Sequence, residues 1–187
     1  DWPVRTGTAF EAQPTYGDNP VWRGDPSAGP VGHGWISSYE HFQGPLSGRG
    51  VPGESLGGGA TGTMKSRTFT LSGIRMDLLV AGGAHPDAWV GLMDAAADTA
   101  LFEAHGHGGF DLQPVSWDLG GLAGRAVYLQ IEDAGTDADA WIAVDEIVEV
   151  PPPTEAPPLQ VARRARLLAN VPNPFNPRTL LRWRQDE

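Results

Sequence analysis

Arg125-Ala-Val-Tyr-Leu-Gln-Ile-Glu132 and Trp141-Ile-Ala-Val-Asp-Glu-Ile-Val-Glu-Val150 flank the turn-rich stretch Asp133-Ala-Gly-Thr-Asp-Ala-Asp139. Two apolar runs of strand length with a Gly- and Asp-rich break between them read as consecutive β-strands. The pattern repeats upstream. Ser66–Leu71 alternates, and Ile74–Ala81 is an apolar run that reads as buried. Ala88–Met93 and Ala100–His105 form a hairpin across Asp94–Thr99, and Phe110–Trp117 follows. Trp35–Phe42 is an earlier candidate strand. Evenly spaced short strands with turns between them predict an all-β chain, an antiparallel sandwich or barrel.

Composition agrees. The 187 residues include 25 Gly and 17 Pro, which favour short strands and turns over long helices. There is no Cys, which excludes a disulfide framework and a thiolate metal site. Any metal must be held by oxygen or imidazole. Residues 1–30 are turn-rich, and Gly44–Gly62 is a glycine-rich loop. Pro151–Pro158 is a stiff extended linker. The expected organisation is a sandwich over residues 1–150, a linker over 151–158 and an extended Pro-rich tail over 159–187.

Charge divides the same way. Residues 1–158 carry 21 acids and 7 bases, whereas residues 159–187 carry 2 acids and 6 bases. The acidic body argues against a nucleic-acid partner. No apolar run approaches the length of a membrane span. The chain opens at Asp1, which predicts a cleaved signal and a secreted protein.

The early Ala9-Phe10-Glu11 and the late Ile142-Ala-Val-Asp-Glu-Ile147 resemble paired segments of jelly-roll carbohydrate-binding modules. There the facing carboxylates hold a structural calcium. The resemblance implies Ca2+ at Glu11 and Asp145, and calcium does prefer hard oxygen ligands. A longer resemblance runs through Trp35-Ile-Ser-Ser-Tyr-Glu40, Ala60–Phe69, Leu78-Leu-Val-Ala-Gly-Gly83, Val90–Asp94, Val115–Leu119 and Ala126–Asp133. It is similar to the β-sandwich modules that accompany levanase- and inulinase-type glycosidases. It implies an antiparallel jelly roll and a non-catalytic, extracellular role in binding a polysaccharide or surface glycan.

Aromatic rings are the usual sugar platform. Tyr16, Trp22, Trp35 and Tyr39 are the candidates; Trp89, Trp117 and Trp141 sit in apolar strands and read as core. His105 and His107 lie two apart, with Asp111 as a third possible ligand. Asp133–Asp139 has acids at loop spacing, without the EF-hand pattern. No nucleophile elbow, His-Glu-x-x-His or phosphate loop is present, so no enzyme is expected.

The tail Leu167–Trp183 contains Asn170-Val-Pro-Asn-Pro-Phe-Asn-Pro-Arg-Thr179. It resembles the opening of the C-terminal Ig-like sorting domains of secreted bacterial proteins, often type IX secretion substrates. Val161–Ala169 reads as helix or strand. Thr179, Leu180, Leu181, Arg182 and Trp183 read as a strand that needs a partner. That leaves a second expectation: a subunit of a cell-surface assembly or filament, in which this strand self-associates with a neighbouring copy.

Overall fold

The computed structural model describes residues 2–153, 165–167 and 183–185. The chain divides into two compact units, Asp1–Pro152 and Pro153–Glu187. In the first, among the described residues, two antiparallel sheets form a β-sandwich. One contains β1 (Val4–Gly7), β4 (Gly62–Lys65), β5 (Phe69–Thr70), β7 (Ala88–Asp94), β8 (Thr99–His105) and β10 (Ala126–Asp133). Its order is β1-β4-β10-β7-β8, with β5 also on β10. The other runs β2 (Thr15–Tyr16), β3 (Gly34–Ser37), β11 (Ile142–Val150), β6 (Arg75–Gly82) and β9 (Gly109–Asp118). From β6 onward the chain changes sheet at every connection except the β7–β8 hairpin, which is the winding of a jelly roll.

Each strand expected between residues 74 and 150 is present, displaced by a residue or so at its ends. Two expectations change. Trp35–Phe42 shortens to Gly34–Ser37. Ser66–Leu71 shrinks to β5, Phe69–Thr70, behind a break that separates it from β4. Three residues between Lys65 and Phe69 oppose two between Gln130 and Val127. The Ser66 hydroxyl accepts the Leu129 N–H at 2.9 Å, standing in for a main-chain carbonyl. The sequence reading also missed β1, β2 and the single turn α1 (Asn19–Trp22), all inside the turn-rich opening, and β4 at the end of the glycine-rich loop.

Alternation builds the core. Leu129 and Ile131 of β10, Val90 and Leu92 of β7, Leu78 and Val80 of β6, and Ile142 and Val144 of β11 meet between the sheets. The opposite faces of β6 and β11 contribute to a second cluster. Ala81, Trp141 and Ala143 pack there with Trp35, Ala28, Tyr39, Phe110 and Leu112. The five-stranded sheet is therefore covered on its inner face and over part of its outer one, where the N-terminal segment packs.

In the second unit, β12 (Ala165–Leu167) pairs antiparallel with β13 (Trp183–Gln185). Thus the Val161–Ala169 ambiguity resolves to a short strand at Ala165–Leu167. Trp183 begins a strand whose partner lies in its own tail. Thr179, Leu180, Leu181 and Arg182 lie outside the described residues.

Ile131 sits at full burial in the central strand of its sheet. Ile131→Ala should cost about 2–5 kcal/mol, read by denaturant unfolding.

Candidate ligand-binding surface

Short-range chain geometry gathers four rings from distant positions. The Tyr16 N–H donates to the Phe42 carbonyl at 2.8 Å, and the Gly17 N–H to the His33 carbonyl at 2.9 Å. These bonds bring Tyr16, His33 and Phe42 together, and α1 carries Trp22 to them. The Tyr16 ring lies nearly parallel to Trp22 (centroids 6.4 Å, 21°) and to His33 (5.8 Å, 15°). Phe42 meets Tyr16 and Trp22 edge-on at 6.0 and 5.4 Å. Ring pairs in such offset and edge geometries gain about 0.5–1.5 kcal/mol beyond burial. Gly17, at φ +60°, is required: a Cβ there would stand 2.9 Å from the Trp22 ring. Trp22 remains 47% exposed, beside Val21 at 48%. The Trp22 ring is thus held on one side and open to water on the other.

A buried ion pair fixes α1 beneath it. Glu40 is fully buried. Arg23 holds it with both terminal nitrogens, at 2.6 and 2.7 Å, and Asn19 Nδ2 donates to it at 2.5 Å. Asn19 also bonds the backbone of Gly53 and Glu54, tying the glycine-rich loop to α1. The Arg23 guanidinium stacks 5.3 Å from the ring centres of both Tyr39 and Phe110. Burial alone would lower the Arg23 pKa, but the bonds and charges of Glu40 and Asp25 turn the shift upward. The cation is permanent and its partner complete, so the network is structural.

The expected platform residues thus separate. Trp22 is exposed, and Tyr16 is its half-buried support. Trp35 is a core residue, 2% exposed, with its indole N–H on the Gly17 carbonyl at 2.8 Å. Its ring is packed in the core and has no exposed face comparable to that of Trp22. Tyr39 packs on Phe110 and Trp141 under Arg23 and offers no open ring face comparable to Trp22. His33 and Phe42 went unnoticed in the sequence; only the turn pairing of distant segments identifies them.

The carboxylates named for calcium have different surroundings. Glu11 is exposed in a turn. Asp145 is 8% exposed and accepts the N–H groups of Val31 at 2.7 Å and Glu146 at 2.9 Å. Asp145 and Glu146 also line a groove of roughly 690 Å³ with Trp2, Arg5, Met64 and Leu129. His105 and His107 bond different backbone carbonyls, those of Ala88 and Asp111. Among the described residues no group of three or more His, Asp or Glu side chains is placed to hold a metal.

Asp133 stands apart. It is 1% exposed and neither carboxyl oxygen has a hydrogen-bond partner. Burial pushes its pKa up from 3.8 to about 6. The Ser38 hydroxyl and Gly135 N–H lie beside it and pull the other way, short of full hydrogen-bond geometry.

No protein-family model matches the chain, and no curated protein matches it. Among solved structures it is similar to the K1, K3 and K2 cleaved adhesin domains of Lys-gingipain from Porphyromonas gingivalis. Identities are 17%, 16% and 16%, with TM-scores of 0.44, 0.43 and 0.45. The alignments cover 78%, 81% and 78% of this chain and 88%, 91% and 86% of those domains.

Two outcomes are expected. Arg23→Leu strands a buried Glu40 and should cost about 3–5 kcal/mol in denaturant unfolding. Asp133 binds its proton more tightly folded than unfolded. Its stabilising contribution is complete below the unfolded pKa and is lost as pH rises from about 4 through about 6. That loss amounts to roughly 2–3 kcal/mol. Unfolding of the metal-free protein across pH 4–7 should show it, and Asp133→Asn should flatten that part of the profile.

Proposed function

We propose that residues 2–152 form a non-catalytic, extracellular binding module that holds a polysaccharide chain on the Trp22 ring. The observation that carries this reading is the exposed indole, backed by the near-parallel Tyr16 ring and wedged by Phe42. A pyranose presents an axial C–H face that stacks on such a ring, while polar groups at its rim meet the hydroxyls. The exposed Val21 and the Gly53 turn against the Trp22 backbone keep the rim low, which suits a chain passing across rather than a ligand enclosed. The acidic body favours neutral over anionic glycans, because like charge repels approach.

The catalytic alternative lacks a feature to rest on. The most perturbed carboxylate, Asp133, is sealed from solvent, and the buried Glu40 is saturated by Arg23 and Asn19. Neither can reach a substrate. A secreted setting agrees with the sorting-domain resemblance of the tail.

The test is a panel of soluble neutral polysaccharides scored by affinity electrophoresis and by intrinsic Trp fluorescence. Retardation and a spectral shift are expected with at least one of them. Trp22→Ala should weaken that binding about tenfold while leaving the thermal midpoint within a few degrees. Retention of full affinity by Trp22→Ala would place the ligand elsewhere and sink the reading.

A further inference from the structure

Residues 134–140 lead from β10 to β11 and are seated at two points. Gly135 and Ala140 are buried, whereas Ala134 and Thr136–Asp139 are exposed. Glycines make the seat. A Cβ on Gly135 would stand 2.4 Å from the Ala140 side chain and 3.0 Å from His85 Nδ1. A Cβ on Gly58 would meet the Asp137 and Ala138 oxygens at 2.4–2.5 Å, and one on Gly83 the Asp139 oxygen at 1.6 Å. Little else holds the segment. Among the described residues its main-chain hydrogen bonds run from Ala134 N–H to the Asp87 carbonyl at 2.8 Å and from Ala140 N–H to the Asp137 carbonyl at 3.0 Å. The second is internal, and the segment's apolar side chains are all alanines. A stretch with so few bonds and so little apolar burial opens locally at low cost.

Asp133 lies where this segment begins, sealed from solvent, with neither oxygen in a full hydrogen bond. A protonated carboxyl is tolerated in such a place and an ionised one is strongly disfavoured. The groups around it give partial relief. Across the sheet stand Gly62 of β4 and Ala88 of β7, neither charged. His85, on the turn before β7, attracts the ionised form, and Glu132, beside it on β10, repels it. His85 is also engaged elsewhere, with Nδ1 accepting the Asp87 N–H at 3.2 Å and Nε2 3.4 Å from Asp137. Asp87, Asp137 and Asp139 add only negative charge. The Ser38 hydroxyl and Gly135 N–H favour ionisation, but burial outweighs them and His85 together.

We propose that residues 134–140 form a pH-operated strap, seated while Asp133 carries its proton and lifted to admit water when it ionises. Lifting hydrates both oxygens and so removes the penalty on the charge. The seated form holds the proton more tightly, so opening becomes easier as pH rises from about 4 through about 6 and levels off above that. The interval between those values allows up to about a hundredfold change in the open-to-closed ratio. The strap is independent of the glycan reading, and either can fail alone.

Amide hydrogen exchange of the full chain, resolved by NMR and corrected for the intrinsic pH dependence of exchange, tests it. Between pH 4.5 and pH 7 the protection of the Ala134 and Ala140 amides should fall by more than about tenfold. It should stay far below that of the β7 and β10 amides throughout. Asp133→Asn mimics the neutral acid and should hold the protection nearly constant over that range, whereas His85→Gln should keep the wild-type response. Four results would overturn the strap: wild-type protection unmoved by pH, exchange of these amides only together with β7 and β10, a pH response that survives Asp133→Asn, or one that His85→Gln abolishes. The first two need only the wild type, so they decide the matter even where the Asn variant does not fold.

Discussion

The five-stranded sheet carries a second apolar cluster on part of its outer face, and much of the structure follows from that. An antiparallel sheet commonly leaves one face to water. Here β6 and β11 put Val80, Ile142 and Val144 into the inner core and Ala81, Trp141 and Ala143 into a second one. The small side chains of Ala81 and Ala143 let the N-terminal segment approach closely, and Trp35 fills the space beside them. A cover of turns cannot be held by sheet hydrogen bonds alone. It is held by Asn19, Arg23 and Glu40, which reach from α1 to the start of the glycine-rich loop.

Two buried carboxylates show how burial sorts charge. Glu40 has lost all contact with water, but three nitrogen donors, two of them from the stacked Arg23 guanidinium, replace it. Desolvation and compensation are both large and nearly cancel, so the pair specifies geometry more than it adds stability. Asp133 has lost as much water and gained no bonded partner, and its pKa moves to about 6. Glu40 fixes the cover, whereas the weakly compensated Asp133 makes the end of β10 sensitive to pH.

The sandwich was legible because its strands are long enough for composition and spacing to show. β6 to β11 each hold seven or more residues, mostly apolar on the buried positions. β1, β2, β5 and α1 are two to four residues long, too short for any period, and exist because neighbours pair with them. Trp35 illustrates the limit at the site. Its neighbours in sequence are polar and glycine-rich, which reads as exposed, yet the residues that bury it come from positions 28, 81, 141 and 143. Trp22 was readable because it sits among turn residues with no apolar run to bury it. His33 and Phe42 were not, because only the Tyr16–Phe42 and Gly17–His33 backbone bonds bring them near.

The platform's rigidity bears on what it can bind. Binding costs about 0.5–1.5 kcal/mol for each flexible side chain that must be ordered. Trp22 is already ordered by Tyr16, Phe42 and the Gly17 backbone, so little of that cost remains. One stacked ring is worth only a kilocalorie or two, however, which sets the affinity of a single module low. A weak, prepaid, sequence-tolerant contact is useful where many copies or a long polymer multiply it. Under the proposed reading, such a contact suits an extended glycan better than a single small sugar.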